Sequence, residues 1–150
     1  MQTLLQSYKA GEISKHDFIS AMYDSHQPLF TYAKRLEEVN LSEISLRPEG
    51  IMMSFKEPPV RLLCPQGDTR IAPIEALNFG DYEQAELRAV HHVLSYIGGE
   101  NAHCLDIGAN VGFYSLAMTS WFSGLSVDAF EPIPNTFATL EKNLGLNDCG

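Results

Sequence analysis

A chain of 150 residues that is 45% hydrophobic and 19% charged has the size and composition of one folded domain rather than of a disordered segment. Its formal net charge of −9 argues against a basic groove for nucleic acid and against attraction to an anionic membrane surface. Three cysteines, Cys64, Cys104 and Cys149, with no C-x-x-C pair, read as reduced thiols of a cytoplasmic protein without a zinc site.

Residues 1–40 are predicted to be helical, as two packed helices. Ser14 with Asp17 resembles a capping box, and Phe18, Ile19, Met22 and Tyr23 form one apolar face at helical spacing. Pro28 is expected to break the helix, and Leu29, Tyr32, Leu36 and Val39 mark the second stripe. The first residues lack the charged start and long apolar centre of a signal peptide. No run approaches the roughly 20 apolar residues of a membrane span.

Residues 41–75 read as an antiparallel meander or hairpin. Ile44 and Leu46 alternate with polar residues, Pro48-Glu49-Gly50 signals a turn, and 51–55 and 60–64 are two further short apolar runs. A helix is predicted over 81–97, with Asp81 as cap, Gln84 reaching back, Leu87, Val90, Leu94 and Ile97 on one face, and Gly98-Gly99 as the stop. A strand over 103–107, a helix to about Phe122, a strand over 125–130 and a helix over about 135–144 follow. The last helix turns Phe137, Leu140 and Leu144 to one side, and Gly145 ends it. Such strand–helix alternation predicts a parallel α/β sheet.

The chemistry gathers in this last part. Ligands of open parallel sheets bind at the carboxyl ends of the strands, where Asp106 and Glu131 both fall. Gly108, Ala109 and Gly112 remove side-chain bulk between them, so backbone can turn tightly and approach a ligand. A carboxylate such as Glu131 can accept hydrogen bonds from both hydroxyls of a ribose. A dinucleotide fingerprint needs G-x-G-x-x-G; counted from Gly108, the second and third glycine positions hold Asn110 and Phe113. The register that fits is acid-x-Gly-x-x-x-Gly, on Asp106, Gly108 and Gly112. The five histidines form no metal constellation: His91 and His92 point apart on a helix, and His26 and His103 are solitary.

That register resembles motif I of the class I S-adenosylmethionine-dependent methyltransferases. The string Asp106-Ile107-Gly108-Ala109-Asn110-Val111-Gly112-Phe113-Tyr114-Ser115, then Ala129-Phe130-Glu131-Pro132, then Phe137, Leu140, Asn143 and Asn147, is similar to the FkbM family over residues 104–147. Asn78 to Glu83 is similar to the lead-in of some bacterial relatives. The resemblance implies a partial Rossmann-like class I methyltransferase fold, its first two β-α units, preceded by a helical segment and a small antiparallel meander. It divides the chain into an accessory region, 1–78, and the N-terminal half of a cofactor-binding domain, 79–150. It implies S-adenosylmethionine as cofactor, held by Asp106, Gly108, Ala109, Asn110 and Gly112 around the methionine part, by Glu131 at the ribose, and by Tyr82 and Glu83 near the methionine end. It implies O-methylation of a sugar, glycolipid or natural-product hydroxyl, hence a small-molecule or glycan acceptor.

The same resemblance leaves the adenine-reading residue, the acceptor loop and any catalytic base to segments after Gly150, so no catalytic residue is assigned. The expectation is an N-terminal part of a longer enzyme, or the product of a truncated gene, catalytically incomplete by itself. The first strand of the unit would then have one open edge, covered by residues 41–65, by a second copy in a homo-oligomer, or by further chain. Two other readings stand beside this one. A non-catalytic interaction module could retain the nucleoside half-fold, and a NAD- or FAD-dependent oxidoreductase could use it, against which the missing glycines weigh.

Overall fold

A computed structural model describes residues 2–69 and 71–149; Met1, Arg70 and Gly150, which fall within or at the ends of expected segments, lie outside the described residues. The chain forms two compact units that part between Glu38 and Val39.

The first unit holds three helices rather than two: α1 (Gln2–Lys9), α2 (Lys15–Asp24) and α3 (Gln27–Arg35). The Ser14 hydroxyl accepts the Asp17 N–H at 3.1 Å and donates to the Asp17 carboxylate at 2.6 Å, so the expected box caps α2. Pro28 does not end a helix. It sits in the first turn of α3, where its missing N–H has no intrahelical partner to lose and its fixed φ suits the helix. Stacked pairs, Tyr8 on Phe18 at 4.7 Å and Tyr23 on Phe30 at 5.4 Å, join neighbouring helices.

The second unit begins with the meander: β1 (Leu41–Arg47), β2 (Gly50–Phe55) and β3 (Arg61–Pro65), antiparallel in the order β1-β2-β3. Next comes α4 (Ile71–Phe79), which the sequence patterns do not mark, and α5 (Gln84–Ile97). β4 (His103–Ile107), α6 (Phe113–Trp121), β5 (Ser126–Phe130) and α7 (Pro134–Leu146) complete the chain. β4 and β5 pair in parallel, Ile107 opposite Phe130. The unit is thus mixed α/β, with two small sheets.

The boundary expected at 78/79 falls inside this unit, because the meander shares its core with the α/β segment. Leu41, Met53 and Leu62 are as fully buried as Val111, Leu116 and Leu140. The rings of Phe55 and Phe113 lie 4.8 Å apart, α7 packs on β3, and α6 packs on β5. Cys104 and Val127 turn toward Leu94, Met118 and Leu125. The opposite face of the parallel pair carries Leu105, Ile107 and Phe130, which are exposed. Residues 41–65 pair among themselves and not with β4, so the expected cover of the β4 edge by the meander is not what forms.

Several boundaries move. Gly98 takes the left-handed conformation (φ 81°) that closes α5, as glycine does cheaply. At its other end the N-cap is Glu83, itself left-handed at φ 45°. Asp81 instead accepts the Tyr82 N–H at 2.9 Å, and Gln84 accepts from Arg88 at 3.2 Å rather than reaching back. Gly145 lies inside α7, and Asn147 is the C-cap. The buried face of α7 is Thr136, Thr139, Leu140 and Asn143, whereas Phe137 is exposed; Ile97 of α5 is exposed as well. His103 is not solitary: it lies 2.9 Å from the Asp128 carboxylate and 3.1 Å from the Ser126 hydroxyl.

Candidate functional site

Parallel pairing brings the carboxyl ends of β4 and β5 level, and the chain leaves β4 through a turn stitched to the end of β5. The N–H groups of Gly108 and Ala109 both donate to the Phe130 carbonyl, each at 2.9 Å. Gly112 N–H closes back on the Ala109 carbonyl at 2.8 Å. Three residues of the turn are left-handed, Gly108 (φ 83°), Asn110 (φ 52°) and Gly112 (φ 86°). The two glycines adopt this without the Cβ clash that other residues suffer, and asparagine is among the few others that enter the region readily. A Cβ on Gly108 would meet nothing within 4 Å, so space lies open beside that residue, whereas one on Gly112 would come within 3.3 Å of Leu140.

The two strand-end acids face different partners. Asp106 accepts the Ser115 hydroxyl at 2.6 Å, and Ser115 is buried in α6. Glu131 accepts the Asn110 N–H on one carboxylate oxygen at 3.0 Å and the Ile133 N–H on the other at 2.9 Å. Ile133 is the N-cap of α7. Glu131 therefore ties the turn after β4 to the start of α7. A carboxylate has about four acceptor sites, so each oxygen retains a lone pair for a further donor.

Tyr82 and Glu83 reach this region through α6. Glu83 accepts the Tyr114 hydroxyl at 2.6 Å, and the Tyr82 ring lies 5.9 Å from the ring of Phe113, the residue after Gly112. Burial, and then the neighbouring Glu83 carboxylate, push the Tyr82 phenol up to about 12. Tyr114 is raised by the same two causes. Burial also raises Asp81, against the opposing pull of the Tyr82 N–H and Arg88.

Asp106, Gly108, Ala109, Asn110, Gly112 and Glu131 are thus gathered around one turn, and Tyr82 and Glu83 adjoin the helix that leaves it. Two further members of the cluster, Tyr114 and Ser115, carry no role that the sequence alone assigns. Their signal is adjacency: both lie in the first turn after Gly112, from which Ser115 reaches the end of β4 and Tyr114 the start of α5. Asp106 and Tyr114 also line a mainly apolar groove of about 490 Å³, with Val90, Leu94 and Met118. A smaller cavity of about 310 Å³, beside Glu57, Arg88, His91 and Trp121, contains none of the anticipated residues. We place the candidate site at the turn, where acids, left-handed backbone and strand ends converge.

No family model matches the chain, and no solved structure matches it. Over 48 residues it is 42% identical to methyltransferase sdnD of Sordaria araneosa; the matched stretch is 32% of this chain and 18% of that protein. The similarity therefore covers well under two thirds of either. Among the described residues, no group of three or more His, Cys, Asp or Glu is set to hold a metal ion, and no helix is long and apolar enough to cross a membrane.

Proposed function

We propose that residues 79–150 carry the cofactor half-site of an S-adenosylmethionine-dependent methyltransferase of the FkbM kind, with the hydroxyl of a sugar, glycolipid or natural product as acceptor. The observation that carries this reading is the turn itself: left-handed Gly108, Asn110 and Gly112 between two strand-end carboxylates, Asp106 and Glu131. The local similarity to a fungal methyltransferase supports the reaction class.

The residues suit the group. S-adenosylmethionine bound there would supply a methyl on a sulfonium centre, an electrophile that needs little beyond an aligned nucleophile. The chain's own part is binding and orientation. The space beside Gly108 admits a ligand close to backbone. The free lone pairs of Glu131 would take the ribose hydroxyls, while its bonds to Asn110 and Ile133 keep the carboxylate from turning away. Asp106, held by Ser115, together with Glu83 and Glu131, sets negative charge around a cationic ligand. No residue is assigned as the base for the acceptor proton.

Calorimetric titration of S-adenosylhomocysteine, with NAD as the comparison, tests the reading. Saturable heat with the first and none with the second supports it; selective heat with NAD would move the site to an oxidoreductase. A specific observation also favours a non-catalytic interaction module, namely the exposed apolar face of Leu105, Ile107 and Phe130. Its mark is a folded chain that binds neither nucleoside.

A further inference from the structure

Asn143 is a polar side chain with no exposed surface, and both ends of its amide are engaged. Its Oδ1 accepts the Leu63 N–H of β3 at 2.8 Å. Its Nδ2 donates to the Val111 carbonyl at 2.7 Å. One turn further along α7, Asn147 accepts the Arg61 N–H at 2.7 Å and donates to the Arg61 carbonyl at 2.8 Å. The two asparagines lie four residues apart, on one face of the helix. They meet alternate residues of β3 on the edge that β2 leaves open, doing for that edge what another strand would do.

The two differ in one respect. Beyond β3, the Asn147 amide donates within its own helix, to the Asn143 carbonyl at 2.7 Å, whereas the Asn143 amide holds Val111, which lies between the left-handed residues Asn110 and Gly112. A carbonyl there, in a residue that is 1% exposed, must be paired, since water does not reach it. The direction in which it is paired sets the plane of the peptide between Val111 and Gly112.

Resting on the reading of the turn as a nucleoside site, we propose that Asn143 is a positioning residue for it. The Asn143 donor fixes the 110–112 backbone, and β3 fixes Asn143, so cofactor affinity depends on a side chain that touches no cofactor. The dependence runs through one hydrogen bond, from Nδ2 to the Val111 carbonyl. The bond to Leu63 only anchors its origin.

The test compares Asn143→Asp with Asn147→Ala in the full chain. The first keeps an acceptor for Leu63 but puts an oxygen against the Val111 carbonyl. The second weakens the clamp on β3 and leaves Val111 alone. Two quantities are read: affinity for S-adenosylhomocysteine, and the amide resonances of Gly108 and Gly112 without ligand. Asn143→Asp is expected to weaken binding about tenfold, as loss of a buried hydrogen bond does, and to shift both glycine resonances. Asn147→Ala is expected to lower the melting temperature while leaving affinity and resonances as in the wild type. Should Asn143→Asp not fold, Asn143→Ser is measured in its place, with the same expectation. A folded Asn143 variant with wild-type affinity and resonances overturns the proposal, as does an Asn147→Ala that loses as much affinity. If the wild type binds no S-adenosylhomocysteine, the reading of the site falls, and the glycine resonances alone decide whether Asn143 positions the turn.

Discussion

The Tyr114 hydroxyl donates to the Glu83 carboxylate at 2.6 Å, linking the first turn of α6 to the left-handed residue that opens α5. Burial and this carboxylate hold the Tyr82 and Tyr114 phenols in their neutral forms, Tyr82 up to about 12. A phenol raised on folding stabilises the native state below its ordinary value, near about 10. That contribution is lost as pH rises through the folded value. In an absorbance titration of the six tyrosines, two should therefore ionise last. Glu83→Gln should bring both down; an unchanged titration would remove Glu83 as a cause.

Asp81 makes the opposite contribution at neutral pH. Burial raises its carboxyl, so its share of stability is present at low pH and lost as pH rises through the folded value. Asp81→Asn keeps an acceptor for the Tyr82 N–H and removes the charge. Its melting temperature should exceed that of the wild type at pH 7. At about pH 3, below the ordinary carboxyl range, the difference should vanish. An equal gain at both pH values would contradict the assignment.

Two glycines should respond to alanine with opposite signs. Gly112 is left-handed and close to Leu140, so Gly112→Ala should cost about 1–2 kcal/mol from the backbone conformation, with the contact added. Gly145 lies inside α7, and a methyl added to it would meet nothing within 4 Å. Gly145→Ala should stabilise by about 0.5–1 kcal/mol. Urea denaturation of the two variants separates the cases.

Glu131 should matter to folding even without ligand. Glu131→Ala removes the acceptor of two backbone N–H groups, a loss of about 1–3 kcal/mol. Hydrogen exchange at Asn110 and Ile133 should accelerate with it. Wild-type stability and exchange in this variant would show that the turn is held by other means.

The strongly patterned end of the chain is legible in the sequence. β4 spans the residues expected, β5 begins one residue later, and Gly98 closes α5 as its type and place indicate. The turn glycines and both strand-end acids also fall together as the motif suggests. α4 leaves no such mark, because its segment is apolar on most sides and has no stripe. The start of α5 differs from expectation because local chemistry favours Asp81 as cap, whereas the bond between Glu83 and Tyr114, 31 residues apart, accompanies a later start. The inward side of α7 differs for a related reason. Its apolar residues point to Phe137, but β3 and the turn offer buried backbone groups that Asn143 satisfies. Pairings distant in sequence, Glu131 with Asn110 among them, leave no trace in periodicity.

The most direct test of the turn as a nucleoside site is an amide chemical-shift titration of the chain with S-adenosylhomocysteine. Saturable shifts are expected, largest at Gly108, Ala109, Asn110 and Gly112 and extending to Glu131. A folded chain whose turn resonances stay fixed at saturating ligand, or whose shifts concentrate around Glu57, His91 and Trp121, would contradict the assignment of the site to this turn.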